Sequence, residues 1–550
     1  MIARQSPGGG WTGASPYLRS RRLSGWADGY TADTQYIDQI NVDLSPAWFS
    51  MISVLNGQPP LDTTRPLVWL DIACGTGLAA CSVAAGNPDV EVWGIDYNPT
   101  HIDRAQSLAR SSGLDNCHFV EASFEDLANN RTVGPSEADV VVVNGVYSWI
   151  SSQNRERIVA TIGQRLRAGG LAHIMYESAT GWSSMNPIAE ALRLHVDADG
   201  RAGHDAFHDA AEVLLALRDN GAGYFPIGSR ETAQMDTWRD ANPQYAAHEY
   251  LGAHFAPLMV DDVSEAMNRA KCTLLGTIGP LDHHPYYSVP PDFADLLGDA
   301  TDPLAREMLR DLVLQTPLRR DLYRRGRAAA SSGDQMAWTL DLRVRGVGKP
   351  FEDKPLALPA MQVTLNPAYH VPLTEALGEK DLDVAAIREI HPGWTVADAT
   401  TAIGLLVAAG YATPMVAGGP TERSVAACRR FNETLLRERS RGWTHSCLAD
   451  PSSGAMQTID LVEAIALDGI WIGLPAEVPD LVEMVEGVFA QHNRVVREEG
   501  RLIHESDESR TIVERRVAAL LERRPALQRL GIDLIDPQPL RHVHASSVGY

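Results

Sequence analysis

The chain has no run of about 18 consecutive apolar residues, so nothing in it reads as a membrane-spanning helix. The nearest stretch, Thr400 to Gly419, is broken by Gly410 and Pro414. Met1 to Tyr30 holds Gly, Ser and Arg but no apolar core, which argues against a signal peptide. Cysteine is scarce: six residues, at 74, 81, 117, 272, 428 and 447, with no Cys-x-x-Cys pair. That excludes a disulfide framework and makes reduced thiols in a cytoplasmic protein the expectation. Positive charge is also short, with 48 Lys and Arg against 70 Asp and Glu and a net charge of -22. General attraction to nucleic acid is therefore disfavoured, while a basic protein partner is permitted. No group has convincing metal-ligand spacing: His248-Glu-Tyr-Leu251 with His254, and the pair His283-His284, both lack it, so no metal is expected. There is no internal repeat.

What is present is concentrated in Val68-Trp-Leu-Asp-Ile-Ala-Cys-Gly-Thr-Gly-Leu78. It reads as an apolar strand ending in Asp71, a Gly75-x-Gly77 turn, and the small-residue start of a helix. Asp96 closes a second apolar strand in Val92-Trp-Gly-Ile-Asp-Tyr-Asn98. The pair marks an adenosine-cofactor site. The spacing Gly75 to Ala80 also fits a dinucleotide fingerprint. A dinucleotide would lay its anionic pyrophosphate on the turn. This turn has no Lys or Arg, and Asp71 stands just before it. A carboxylate there repels a diphosphate and suits a cation. S-adenosylmethionine (SAM), cationic and free of phosphate, is the cofactor expected. Asp71, Ala73, Gly75 and Gly77 would line the turn, Asp96 would accept from the ribose hydroxyls, Tyr97 would pack on adenine, and Ser123 and Phe124 would lie at its edge.

Alternating units continue the pattern through strands at 67–72, 90–95, 117–121, 138–143 and 171–177. Gly169-Gly170 reads as the C-cap of a helix over 152–167. The fold class is α/β, with a Rossmann-like core of the class I methyltransferase type. It carries a helical insertion, a small winged-helix-like unit and a helical C-terminal domain. The expected organisation is a tail and helical lead-in over 1–60 and a SAM-binding core over 61–345. Within the core lie an insertion at about 183–243 and a further segment at about 244–345. The small unit spans 346–423 and the helical domain 424–550. Met336–Val344 alternates as a strand would, and 281–303 reads as a Pro-rich loop.

Ligands in open α/β sheets sit beyond the carboxyl ends of the strands. Asn144-Gly-Val-Tyr-Ser-Trp-Ile150 and Met175-Tyr-Glu-Ser178 end strands four and five, so they face the methyl group. Asn144 is placed against the cofactor. Tyr147, Glu177, Trp149 and Tyr176 are the candidate catalytic residues: aromatic walls for a methylammonium product, and a carboxylate to orient an amine or accept its proton.

These stretches, with Gly181-Trp182 and His248-Glu-Tyr-Leu251, resemble a family of bacterial methyltransferases with an appended methyltransferase regulatory domain. That family includes rickettsial protein-lysine methyltransferases that modify outer-membrane protein. Tyr30 and Tyr36 resemble its N-terminal tyrosine motif, which implies contact with the cofactor or a lid. The family usually has His at the place of Asn144, and Tyr-Asn where this chain has Tyr176-Glu177. The resemblance implies methylation of a protein, most simply at lysine. The alternative is a small-molecule O- or N-methyltransferase whose extra domains form a homodimer. The region past 350 is expected to grip a large acceptor, so a chain ending near Gly348 should stay soluble and bind SAM.

Overall fold

A computed structural model describes residues 41–199, 203–225, 230–239, 246, 249–326, 330–439, 447–498 and 501–533. Its centre is a seven-stranded sheet of order β3-β2-β1-β4-β5-β7-β6. The strands are β1 Leu67–Ile72, β2 Val90–Asp96, β3 Cys117–Glu121, β4 Ala138–Val143, β5 Leu166–Glu177, β6 Cys272–Thr277 and β7 Leu318–Arg325. β1 to β5 run parallel, and β7 pairs antiparallel with both β5 and β6. All six residues of β4 are buried, as its run of valines between two neighbours and two covered faces requires.

Successive side chains point to opposite faces and build two cores. Trp69, Val92, Val140 and Val142 pack with α1 (Pro46–Leu55), α2 (Leu78–Gly86) and α3 (Pro99–Ser111). Leu70, Ile72, Val141 and Val143 pack with α4 (Phe124–Asn129), α5 (Ser152–Arg165) and the helix Val260–Arg269. The strand order reverses between β1 and β4, so their carboxyl ends open the crevice in which a ligand sits.

α2 leads out of the glycine turn, and eight of its nine residues are buried. Its outer side is covered by C-terminal chain. Gly86 meets Gly454 so closely that a Cβ on it would lie 2.7 Å from Gly454 Cα. The Asn87 amide donates to the Gly454 carbonyl at 2.8 Å, and the Thr434 hydroxyl donates to the Ser111 carbonyl at 3.2 Å. Residues from 365 to 456 share one hydrophobic cluster with β1 and α2. This argues against the soluble truncation at Gly348: cutting there strips the outer side of the helix that carries the cofactor turn.

Three further expectations change. Met336–Val344 is not one strand. Ser332–Leu340 is a helix, started by a reciprocal cap between Ser331 and Asp334, and only Arg343–Gly346 is extended. The 281–303 stretch contains the helix Pro291–Gly298. The helix before β5 ends at Arg165 with Leu166 as its cap, so Gly169, at φ +80°, serves a turn at the start of β5 and not the cap. Arg343–Gly346 forms the middle of a three-stranded antiparallel sheet with Leu382–Asp383 and Ala412–Pro414. The helices Leu461–Trp471, Val478–Gln491 and Ser506–Leu530 form a separate C-terminal cluster.

Candidate active site

The cofactor turn is tied to β2. The amides of Ala73 and Cys74 both donate to the Ile95 carbonyl, at 2.7 and 3.1 Å. Ala73, Gly75 and Gly77 have φ of +64°, +57° and +77°. Gly77 has no room for a side chain, since a Cβ would lie 2.6 Å from Ala105 Cβ and 2.8 Å from the Phe119 ring. Gly75 is the reverse: its Cβ direction opens onto free space. The turn is therefore packed tightly below and open above.

Asp96 closes the site from β2. One oxygen accepts from the Gly75 amide at 2.9 Å. The other accepts from the Asn98 amide at 2.9 Å and lies 3.3 Å from His101 Nδ1. Asp71 is 6% exposed. Burial, and then the charge of Asp96, push its carboxyl up to about 7. Buried like charges side by side are costly unless a cation joins them. On β4's end, the Asn144 side-chain oxygen is buried and has no hydrogen-bond partner. An open turn, two crowded carboxylates and an orphaned acceptor suit a cationic ligand that carries N–H donors. SAM has both properties, and a pyrophosphate has neither. Asp71, the turn, Asp96 and Asn144 are the residues that would hold it.

Tyr97 is half-buried beside Asp96. The Ser123 side chain is committed elsewhere: it caps α4 in a reciprocal pair with Asp126, donating to that carboxylate at 2.6 Å. Phe124 packs partly into the α4–α5 side of the sheet. Tyr30 and Tyr36 lie outside the described residues.

Of the four candidate acceptor-site residues, two are buried side chains. Tyr147 is 2% exposed, in the core beneath β4. Burial pushes its hydroxyl up to about 12, which keeps it protonated at neutral pH. Tyr176 is buried too, and its hydroxyl donates to Asp321 on β7 at 2.8 Å. Asp321 in turn pairs with Arg319, which also binds Glu307 and Asp311. Both tyrosines are thus core residues of the sheet. Glu177, by contrast, is only partly buried at the end of β5. The Trp182 indole N–H donates to its carboxylate at 2.7 Å. Its own amide donates to the Ser148 hydroxyl at 2.8 Å, and its carbonyl accepts from Leu258 at 2.8 Å. Phe255 joins the group, 4.5 Å from the Trp149 ring and 4.7 Å from the Trp182 ring, with Tyr250 6.4 Å from Trp182. Phe255, Tyr250 and Ser148 escaped sequence reasoning. Phe255 and Tyr250 lie far along the chain, and only the crossing of 250–258 over the loop after β4 brings them in. His283 accepts from the Thr277 amide at 2.8 Å, and His284 meets the Thr401 hydroxyl at 2.9 Å. His248 lies outside the described residues.

Comparison with known proteins bears on the family and the fold. Residues 70–172 match the model of a methyltransferase domain, and residues 242–325 match that of a predicted methyltransferase regulatory domain. The uncharacterised protein sll1526 of Synechocystis is 26% identical over 450 residues, 80% of this chain and 87% of that one. The uncharacterised protein RP028 of Rickettsia prowazekii is 28% identical over 213 residues, 38% of this chain and 81% of its own. In fold, the chain is similar to PKMT2 from Rickettsia typhi, solved in complex with AdoHcy. The TM-score is 0.63 at 17% identity, covering 90% of this chain and 100% of that one. The chain is thus a SAM-dependent methyltransferase, in which a class I methyltransferase domain is joined to a methyltransferase regulatory domain.

Proposed function

We propose that the methyl acceptor is the side-chain amine of lysine in a protein. The observation that carries this reading is Glu177, a carboxylate at the end of β5 that accepts from Trp182, whose ring meets Phe255, which in turn meets Trp149. A carboxylate attracts an ammonium group. Aromatic faces favour it further and also accept its methylated product. A free lysine amine has a pKa near ~10.4 and is protonated at neutral pH, so it must lose a proton before it can attack. Partial burial among rings lowers that value, and Glu177 is placed to take the proton. The amine lone pair then forms the new C–N bond in line as the C–S bond breaks, the bonding electrons going to sulfur. What the protein contributes is alignment. SAM supplies the activated methyl group. The resemblance to rickettsial protein-lysine methyltransferases supports the same acceptor.

The test is incubation of the chain with methyl-labelled SAM and a bacterial lysate, split afterwards into protein, RNA and small-molecule fractions. Protease-sensitive label is expected. Label confined to small molecules or RNA contradicts the reading.

A further inference from the structure

We propose that Trp182 is the positioning residue of the acceptor site, holding the Glu177 carboxylate ionised and fixed at the end of β5. The proposal rests on the reading of Glu177 as the group that meets the amine. Trp182 is 6% exposed, and its indole N–H lies 2.7 Å from a Glu177 oxygen. An indole can only donate, so the bond favours the charged carboxylate and never competes for the acceptor's proton. It is also neutral. An arginine in its place would cancel the negative charge, whereas the indole donates a hydrogen bond without adding a charge of its own.

The geometry is rigid on both sides of the bond. The Trp182 amide donates to the Ser178 carbonyl at 3.1 Å. Gly181 is pressed against the chain entering β7, where a Cβ would sit 2.4 Å from both Pro317 Cα and the Thr316 oxygen. The Trp182 ring is met edge-on by Phe255, and Glu177 is anchored through its own backbone by Ser148 and Leu258. Among the described residues, the charge of Glu177 acts on Tyr250, from the segment that crosses the loop after β4, and Glu249 acts on Tyr250 as well.

The experiment is NMR of the full chain labelled with glutamate δ-carbon-13 and indole nitrogen-15, with the Glu177 signal assigned by its loss in Glu177→Gln. In the wild type, the Trp182 indole resonance should titrate with the Glu177 midpoint, and in Glu177→Gln it should be flat. In Trp182→Phe, the Glu177 midpoint should rise by about one pH unit, a tenfold change in proton affinity. SAM affinity should stay at the wild-type value. If the indole resonance ignores the Glu177 titration, the proposal is overturned even should Trp182→Phe fail to fold. An unmoved midpoint in a folded Trp182→Phe overturns it equally. Neither result depends on the acceptor. Methyl-lysine formed without this coupling refutes the positioning role alone. Coupling together with methyl groups on some other acceptor refutes the lysine reading alone.

Discussion

At the scale of single residues, the identity of the cofactor was legible because its chemistry is written in charge. Asp71 before a turn without cations, and Asp96 one strand later, point to a cationic ligand without any coordinates. The acceptor side was half legible. Glu177 and Trp149 keep partly exposed side chains, while Tyr147, in the loop after β4, and Tyr176 are buried; for Tyr176 the alternation along β5 that leaves Glu177 partly exposed sends its neighbour into the core. Removing the Tyr147 hydroxyl should therefore leave kcat within about twofold of wild type. Steady-state kinetics of Tyr147→Phe check this, and a large fall in kcat would return the residue to the rim.

Asp71 yields a pH prediction with a definite sign. In the folded protein its carboxyl keeps a proton up to about pH 7. In the unfolded chain it releases that proton near ~3.9. Its contribution to stability is thus fully present below about pH 4 and is lost as pH rises to about 7. Asp71→Asn stays neutral throughout. The Tm of this variant minus that of wild type should grow across that window and then level off, and a flat difference would contradict the assignment. SAM affinity of the wild type should rise over the same range, since the cation favours the ionised form.

At the scale of elements, strands one to five followed from apolar runs and their spacing. β7 did not, because Leu318-Arg-Arg-Asp-Leu-Tyr-Arg-Arg325 reads as a charged surface segment. Its burial depends on partners elsewhere: Arg319 among three carboxylates, and Arg324 on the Gly169 carbonyl at 2.7 Å. Burying a charge requires such pairing, and the pairing residues lie beyond any local window. The turn before α2 is the element that would hold the cofactor. Gly77→Ala would force a methyl group into Ala105 and Phe119 in a left-handed conformation. A loss on the order of 2–3 kcal/mol in stability is expected from overpacking and strain. Denaturant unfolding and calorimetry with SAM should show both a lower midpoint and lost binding. Wild-type SAM affinity in this variant would mean the turn is laxer than described.

At the scale of the whole molecule, the sequence shows extra folded units but not where they rest. Their contact with α2 depends on surfaces some 350 residues apart, such as Asn87 with Gly454. The C-terminal region covers the helix that holds the cofactor turn, so it completes the methyltransferase core as well as extending it. A chain ending at Gly348 should aggregate, or bind a hydrophobic dye strongly, and should bind SAM poorly. A soluble monomer of that length with full SAM affinity would show that the covering is dispensable. The same covering leaves the carboxyl ends of β4 and β5 to the insertion and to the segment 250–258. On the proposed reading, the acceptor would meet a wall drawn from both the methyltransferase and the regulatory units.

The central claim, transfer of the SAM methyl group to lysine, is tested most directly by the chemical identity of the product. Protein labelled in the lysate reaction is hydrolysed to amino acids, and the label is resolved by chromatography and mass spectrometry, with Glu177→Gln run in parallel. The account predicts Nε-methyl-lysine as the labelled species, strongly reduced with Glu177→Gln. Label on any other amino acid, or methyl-lysine formed at an undiminished rate by Glu177→Gln, would contradict it.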